Sequence, residues 1–425
     1  MTKKNRKDSK GRVLRKGEYQ RKDGTYMYVY RNAIGKKRTI YAPTLPKLRA
    51  KEEAVKTDIM DGISPDVTKT TINEMYERWK GARFLDVEIG TLRDSTYSNY
   101  CYMFEHFVKP NFGDMRIKEV SSAHIEAFYK MLISERGLKI NSVDGVHVPL
   151  NQVMQLAVDS NYLRKNPADG MMRKLKTAYR KKETGGSTSE RALTASQQQV
   201  FLDFLERSDT FSRWLPLFTV LLFTGMRVGE LTGLRWRDVD AEKGWINVTH
   251  TLVHYSKGKG REVKYAINDT KTPAGKRTIP MLPEVKIAIE QEQERQKLEG
   301  VKSHMIIDGY GDFIFVNRFG DCLNQGTINK ALRRIVRDCN FEQLNKGSDI
   351  ILPAFSCHWL RHTFATRLIE SGVNVKAAQD ILGHADVRTT LNIYAAAHED
   401  FVRDELGKLT NDATKDLQTF PSVLR

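Results

Sequence analysis

Four cysteines in 425 residues are few, and they stand far apart, at Cys101, Cys322, Cys339 and Cys357. That spacing gives neither a C-x-x-C metal motif nor the dense pattern of a disulfide scaffold, so reduced thiols in an intracellular protein are expected. No run approaches eighteen uncharged apolar residues, and no membrane span is expected. The opening MTKKNRKDSKGR is basic but has no apolar stretch of the kind a signal peptide requires. A G-x-x-x-x-G-K-[ST] phosphate loop and an acidic metal cluster are both missing. A reaction driven by neither nucleotide nor metal is therefore expected, with no cofactor.

Acidic residues are scarce where the chain begins. The first fifty residues carry 16 Lys/Arg against 3 Asp/Glu, a net +13 of the chain's total +17, leaving +4 for everything after them. A basic block this concentrated points to nucleic acid and to salt-dependent binding. The remaining composition is that of ordinary globular domains, 40% hydrophobic, and the length suits two to four of them.

Residues 1–17 read as a flexible basic arm. The stretch YQRKDGTYMYVYRNAIGKKRTIYAPT then alternates aromatic and polar residues around two Gly-containing turns, which predicts a three-stranded antiparallel meander. A helix over LPKLRAKEEAVKTDIMDG follows, closed by Gly62. A β-sheet fits a DNA major groove, and Arg21, Lys22, Tyr30, Lys36 and Arg38 are the candidate contacts. Residues 63–70 read as a linker, and 71–170 as a helical domain. Arg93, Lys109 and Lys118 are candidate backbone contacts there, although each also suits an ordinary solvated face. The span 171–190 is basic and then Gly/Ser/Thr-rich, and is expected to be a second linker. Residues 191–412 make a mainly helical domain with a small sheet from WINVTHTLVHY, VKYAINDT, KRTIPM and DFIFVN. Residues 413–425 form a tail.

The chemistry lies in three words: TGMRVGE (224–230), HWLRHTFAT (358–366) and LGHADVRTTLNIY (382–394). They place Arg227, then His358 and Arg361 three residues apart, then His384, then Tyr394. Taken singly, each has a plain structural explanation. Arg227 could end an apolar helix paired with Glu230, and Tyr394 could be an amphipathic core tyrosine. Taken together they supply what phosphoryl transfer needs, fixed cations for the charge on the equatorial oxygens and a hydroxyl able to form a covalent intermediate. The segment KYAINDTKTPAGKRTIPM (264–281) reads as a β-hairpin with a Pro-Ala-Gly turn. It holds Lys264, Lys271 and Lys276, any of which could touch backbone phosphate.

Order, spacing and flanking words resemble the tyrosine recombinase (lambda-integrase-like) family, of the conjugative-transposon integrase type. The resemblance spans essentially the whole chain and is most specific over 215–240 and 355–394. It implies an arm-type DNA-binding domain at 1–66, a core-binding helical domain at 71–170 and an α+β catalytic domain at 191–412. The fold class is thus multidomain, mainly α with small β-sheets. It implies a catalytic set of Arg227, Lys271, His358, Arg361, His384 and Tyr394, with Tyr394 the nucleophile and Lys271 the general acid. It also implies core-type and arm-type duplex sites, a homotetramer on DNA, a Holliday junction, an excisionase, a host DNA-bending protein and a bacterial nucleoid-associated location. A chromosome-dimer resolvase, the nearest alternative, would need only two domains and leaves the basic N-terminal block unexplained. Where many family members carry His two residues after the tyrosine, this chain has Ala396, which lies outside the catalytic set.

Overall fold

The computed structural model describes residues 6–31, 35–60, 62, 69–183, 192–257, 262–270 and 273–396. They fall into two compact units, Met1–Gly185 and Gly186–Arg425.

The first unit opens with the expected meander, β1 (Glu18–Gln20), β2 (Tyr26–Arg31) and β3 (Lys37–Ala42), in the order β1-β2-β3, followed by α1 (Leu45–Met60). The register pairs Tyr28 with Glu18 and with Ile40, and Tyr30 with Arg38. Because side chains alternate along a strand, one face carries Tyr26, Tyr28 and Tyr30. These bury with Leu45 and Leu48 of α1 in one small core. Residues 6–17 are not the free arm expected. Lys7 bridges Val13, and the buried Asp8 accepts from Arg12 Nε at 2.8 Å and from the Tyr26 hydroxyl at 2.9 Å. A carboxylate paired to a strand tyrosine anchors the segment to the sheet.

A helical bundle follows, with α2 (Ile72–Glu88), α3 (Asp94–Met103), the short α4 (Lys109–Phe112), α5 (Ser122–Ser134), α6 (Ile140–Asp159) and α7 (Met171–Glu183). Thr71 caps α2 reciprocally with Glu74, the S/T-x-x-E box in its working geometry. The core includes Tyr76, Trp79, Phe104, Phe128, Tyr129 and Leu150. The helix α7 corrects the linker expected at 171–190. Its residues Met171, Met172 and Leu175 enter this core, spaced as an apolar stripe on a helix that is otherwise Lys/Arg-rich. Helical periodicity outweighed composition there; residues 184–191 lie outside the described residues.

The second unit contains α8 (Ala195–Arg207), α9 (Leu215–Thr224), α10 (Val228–Thr232), β4 (Val239–Asp240), β5 (Trp245–Val248), β6 (His250–Lys257), β7 (Glu262–Asp269), β8 (Arg277–Pro280), α11 (Pro283–Glu299), α12 (Gln325–Asn345), α13 (Cys357–Glu370), α14 (Val375–Leu382) and α15 (Val387–Ala396). Its large core gathers α8, α9, α11, α12 and α13 with the sheet β4-β5-β8. Two strand expectations are corrected. The segment 264–281 is not one hairpin, because β7 pairs with β6 over eight positions while β8 pairs with β5. The Pro-Ala-Gly residues form a 3-10 turn, Pro273–Gly275, that carries the chain from one sheet to the other. DFIFVN makes only isolated bridges, Phe313 to Arg235 and Val316 to Cys322, its apolar run being explained by burial of Phe313, Ile314, Phe315 and Val316.

Candidate active site

The apolar stretch LPLFTVLLFT ends as α9, and the chain turns at Gly225, whose φ of +60° is left-handed; a Cβ there would sit 2.4 Å from the Phe364 ring. The apolar helix therefore ends before Arg227 instead of at it. The break makes Arg227 the N-cap of α10, with extended backbone (φ −71°, ψ 148°). Arg227 gives its backbone N–H to Glu230 Oε2 at 2.9 Å, its Nη1 to Glu230 Oε1 at 2.7 Å and its Nη2 to the Gly383 carbonyl at 3.2 Å.

Arg361 comes to the same place from α13. It is 4% exposed, and its Nη1 and Nη2 each donate at 2.6 Å, to the carbonyls of Gly225 and Leu382. Two short bonds to rigid backbone fix the plane of a guanidinium that has five donors in all. Gly383, left-handed at φ +65°, ends α14; a Cβ would lie 2.9 Å from the Ala274 carbonyl. The turn is therefore packed against the 3-10 segment after residue 271, and it presents His384. The buried His384 Nδ1 lies 2.9 Å from the Thr390 hydroxyl on α15. Tyr394 stands one helical turn beyond Thr390 on α15, a helix that packs on α13 and α14.

Two guanidiniums, those of Arg227 and Arg277, thus bind one buried carboxylate, Glu230. Arg277 Nη2 lies 2.8 Å from Glu230 Oε2. Burial pushes the Glu230 carboxyl up, but the Arg277 hydrogen bond and the charges of Arg277 and Arg227 bring it below its ordinary value. Burial, with Arg227 and Arg277 as like charges, pushes Arg361 down to about 9, which still leaves it charged at neutral pH. Burial and then the Arg361, Arg227 and Arg277 charges push His384 down to about 4. The site holds excess positive charge out of water, an arrangement that favours an incoming anion.

A neutral His384 donates to such an anion only from Nε2, which requires Nδ1 to accept from Thr390. Thr390→Val should therefore lower single-turnover cleavage about five- to tenfold, roughly the 1 kcal/mol of one hydrogen bond, with DNA affinity unchanged. Unaltered cleavage would show that Thr390 does not set the tautomer.

His358 lies on the first turn of α13 and is exposed, its ring edge-on to His362 at 4.7 Å. Lys271 lies outside the described residues, between Thr270 and Pro273. The described residues of the set other than His358 and Tyr394, that is Arg227, Arg361 and His384, meet through the carbonyls of 225, 382 and 383. Sequence reading missed Arg277. Its signal was alternation in β8, where Arg277 and the buried Ile279 share a face.

The candidate DNA contacts divide. Arg21, Lys22, Lys36, Arg93 and Lys109 are exposed, and Arg21 also pairs with Asp23 at 3.4 Å. Tyr30 is corrected to a core residue at 8% exposure, and Arg38, its register partner, shares the helix-facing side. The open face of the sheet carries Tyr19, Met27, Val29, Arg31, Lys37, Thr39 and Tyr41, as alternation from the buried Tyr26, Tyr28 and Tyr30 requires. Lys118 pairs with Asp58 of α1 at 3.2 Å, and Arg164 pairs with the same carboxylate at 3.1 Å.

Fold and site together define a tyrosine recombinase, and the chain belongs to that family of DNA breaking and rejoining enzymes. Residues 191–400 match the phage integrase family, residues 1–59 the DNA binding domain of Tn916 integrase, and residues 71–133 the phage integrase N-terminal SAM-like domain. It is a recombinase of the conjugative-transposon type. It is 29% identical over 97% of its length to the transposase from transposon Tn1545 of Streptococcus pneumoniae and to that from Tn916 of Enterococcus faecalis, covering 98% of each. The Tn1549 transposon integrase, solved in complex with transposon right end DNA, is 28% identical with a TM-score of 0.65. The match covers 80% of this chain and all of that one.

Proposed function

We propose that this recombinase integrates and excises a conjugative transposon through a 3′-phosphotyrosine intermediate, with Tyr394 as nucleophile. The observation that carries the reading is the fixing of Arg227 and Arg361 by carbonyls of the two turns at Gly225 and Gly383, beside His384 and the helix of Tyr394. In each strand transfer the Tyr394 oxygen forms a bond to the scissile phosphorus as the bond to the 5′-oxygen breaks. The phenolic proton leaves towards His358, and Lys271 gives a proton to the departing 5′-oxygen. Arg227 and Arg361 hold the nonbridging oxygens, and His384 adds a donor. A 5′-hydroxyl from the partner duplex then attacks the phosphotyrosine, the same steps run in reverse, and the bond energy is conserved without nucleotide or metal. Four protomers perform the exchange through a Holliday junction, with an excisionase and a host DNA-bending protein setting direction.

On a nicked core-site duplex in excess EDTA, the wild type should accumulate a covalent protein–DNA adduct, and dependence on added Mg²⁺ would sink the reading. On the same substrate Lys271→Ala should stall, then recover when a 5′-phosphorothiolate supplies a sulfur that leaves unprotonated. Rescue of Lys276→Ala in place of Lys271→Ala would move the role along the segment.

Residues 1–66 bind arm-type sites, with the open face of the sheet in the major groove, and residues 71–170 with 191–412 hold the core site. Arg31 and Lys37 stand on that open face. If each meets one phosphate, Arg31→Ala and Lys37→Ala should each lower the slope of log affinity against log salt by about 0.9 on arm-site DNA. Core-site cleavage should be unaffected, and an unchanged slope would remove the face from the contact.

A further inference from the structure

Arg277 has no part in the steps above, yet each of its three side-chain nitrogens is bound to a different element of the site. Nε donates to the Ile381 carbonyl at 2.6 Å, Nη1 to the Gly275 carbonyl at 3.2 Å and Nη2 to Glu230 Oε2 at 2.8 Å. The side chain is 5% exposed, so it lies behind the reacting atoms. Ile381 is three residues before His384. Gly275 ends the 3-10 turn that follows Lys271. Glu230 is the carboxylate that grips Arg227, whose own side chain is 43% exposed and so open to substrate. A Cβ on Gly383 would also fall 3.0 Å from Arg277 Nη1, so the turn presenting His384 is built directly on this guanidinium.

We propose that Arg277 is a positioning residue of the recombination centre, sharing Glu230 so that Arg227 stays available to phosphate and locking the turns of 275 and 383 together. The inference rests on the reading of Arg227 as a phosphate clamp. Glu230 is 4% exposed and faces two guanidiniums. With both present, its charge is divided between them. With Arg277 gone, a buried carboxylate retains Arg227 as its counter-ion at short range and low dielectric, and the clamp is drawn inward and neutralised. The same loss frees the Ile381 and Gly275 carbonyls, so the His384 turn loses its brace.

A defect acting through the phosphate clamp has a signature that general damage lacks. It depends on the charge of the scissile phosphate. Single-turnover cleavage of nicked core DNA should be compared with cleavage of the same duplex bearing a neutral methylphosphonate at the scissile position. Arg277→Met should bind core DNA within threefold of wild type and cleave the ordinary phosphate at least 100-fold more slowly. On methylphosphonate its deficit should shrink below tenfold, as for Arg227→Ala. Adding Glu230→Gln to Arg277→Met should recover at least tenfold on ordinary DNA, because no buried carboxylate remains to hold Arg227. Should Arg277→Met fail to melt cooperatively, Arg277→Lys takes its place. A lysine keeps a cation for Glu230 but loses the fork to two carbonyls, so about a tenfold deficit on phosphate and less on methylphosphonate is expected. Cleavage of ordinary DNA within threefold of wild type, or an equal deficit on both substrates, overturns the proposal for either variant. If the wild type itself makes no adduct on ordinary DNA, the recombinase reading fails instead, and the two failures are distinct.

Discussion

Tyr394→Phe should bind core-site DNA as tightly as the wild type and form no covalent adduct, a loss of at least about 10⁴-fold in cleavage. The change removes one oxygen and leaves a ring of the same shape on the same turn of α15 (Val387–Ala396), so affinity has no reason to fall. Chemistry does, because the proposed reaction has no other nucleophile for this step. An unactivated phenol is weak. What makes this one reactive, on our reading, is the pair of guanidiniums of Arg227 and Arg361, which stabilises the phosphorane-like transition state. The wild-type adduct should carry the protein on a 3′ phosphate and leave a 5′-hydroxyl that polynucleotide kinase labels without prior phosphatase. An adduct persisting in Tyr394→Phe, or a 5′ linkage, would refute the assignment.

Arg361→Ala should fail in two ways that separate experimentally. The guanidinium donates at 2.6 Å to the carbonyls of both Gly225 and Leu382, and its loss leaves two buried acceptors unpaired, each worth about 1–3 kcal/mol. The melting temperature should drop accordingly. At a temperature where the variant is fully folded, cleavage should still be down by about 10²–10³, the effect of removing one preorganised donor from a developing anion. Arg361→Lys should recover little of either, since an ammonium on a single stem cannot span two carbonyls held by separate turns. Cleavage by folded Arg361→Ala within tenfold of wild type would reduce Arg361 to a structural brace.

The Tyr394 and Arg361 expectations came from words in the chain, and those words also place most of the elements. The helical run closed by Gly62 gave α1, and the aromatic alternation gave the N-terminal meander. These are local signals, because apolar period and left-handed glycines act within a few residues of where they are read. What the chain alone could not give is anything set by a partner far away in sequence. The face of the basic sheet that stays open was decided by which tyrosines α1 covers, and that puts Tyr30 and its register partner Arg38 on the covered side. The fate of β7 was decided by its pairing with β6, not with the nearer β8. Composition marked 171–183 as linker, while packing of Met171, Met172 and Leu175 made it helix. The sequence by itself determined which side chains are proposed for catalysis and their order, since the chemistry of phosphoryl transfer admits few residue types. Only the tertiary structure decided how they are held, because a guanidinium such as Arg277 acquires its role solely from three carbonyl and carboxylate oxygens 2, 47 and 104 residues distant.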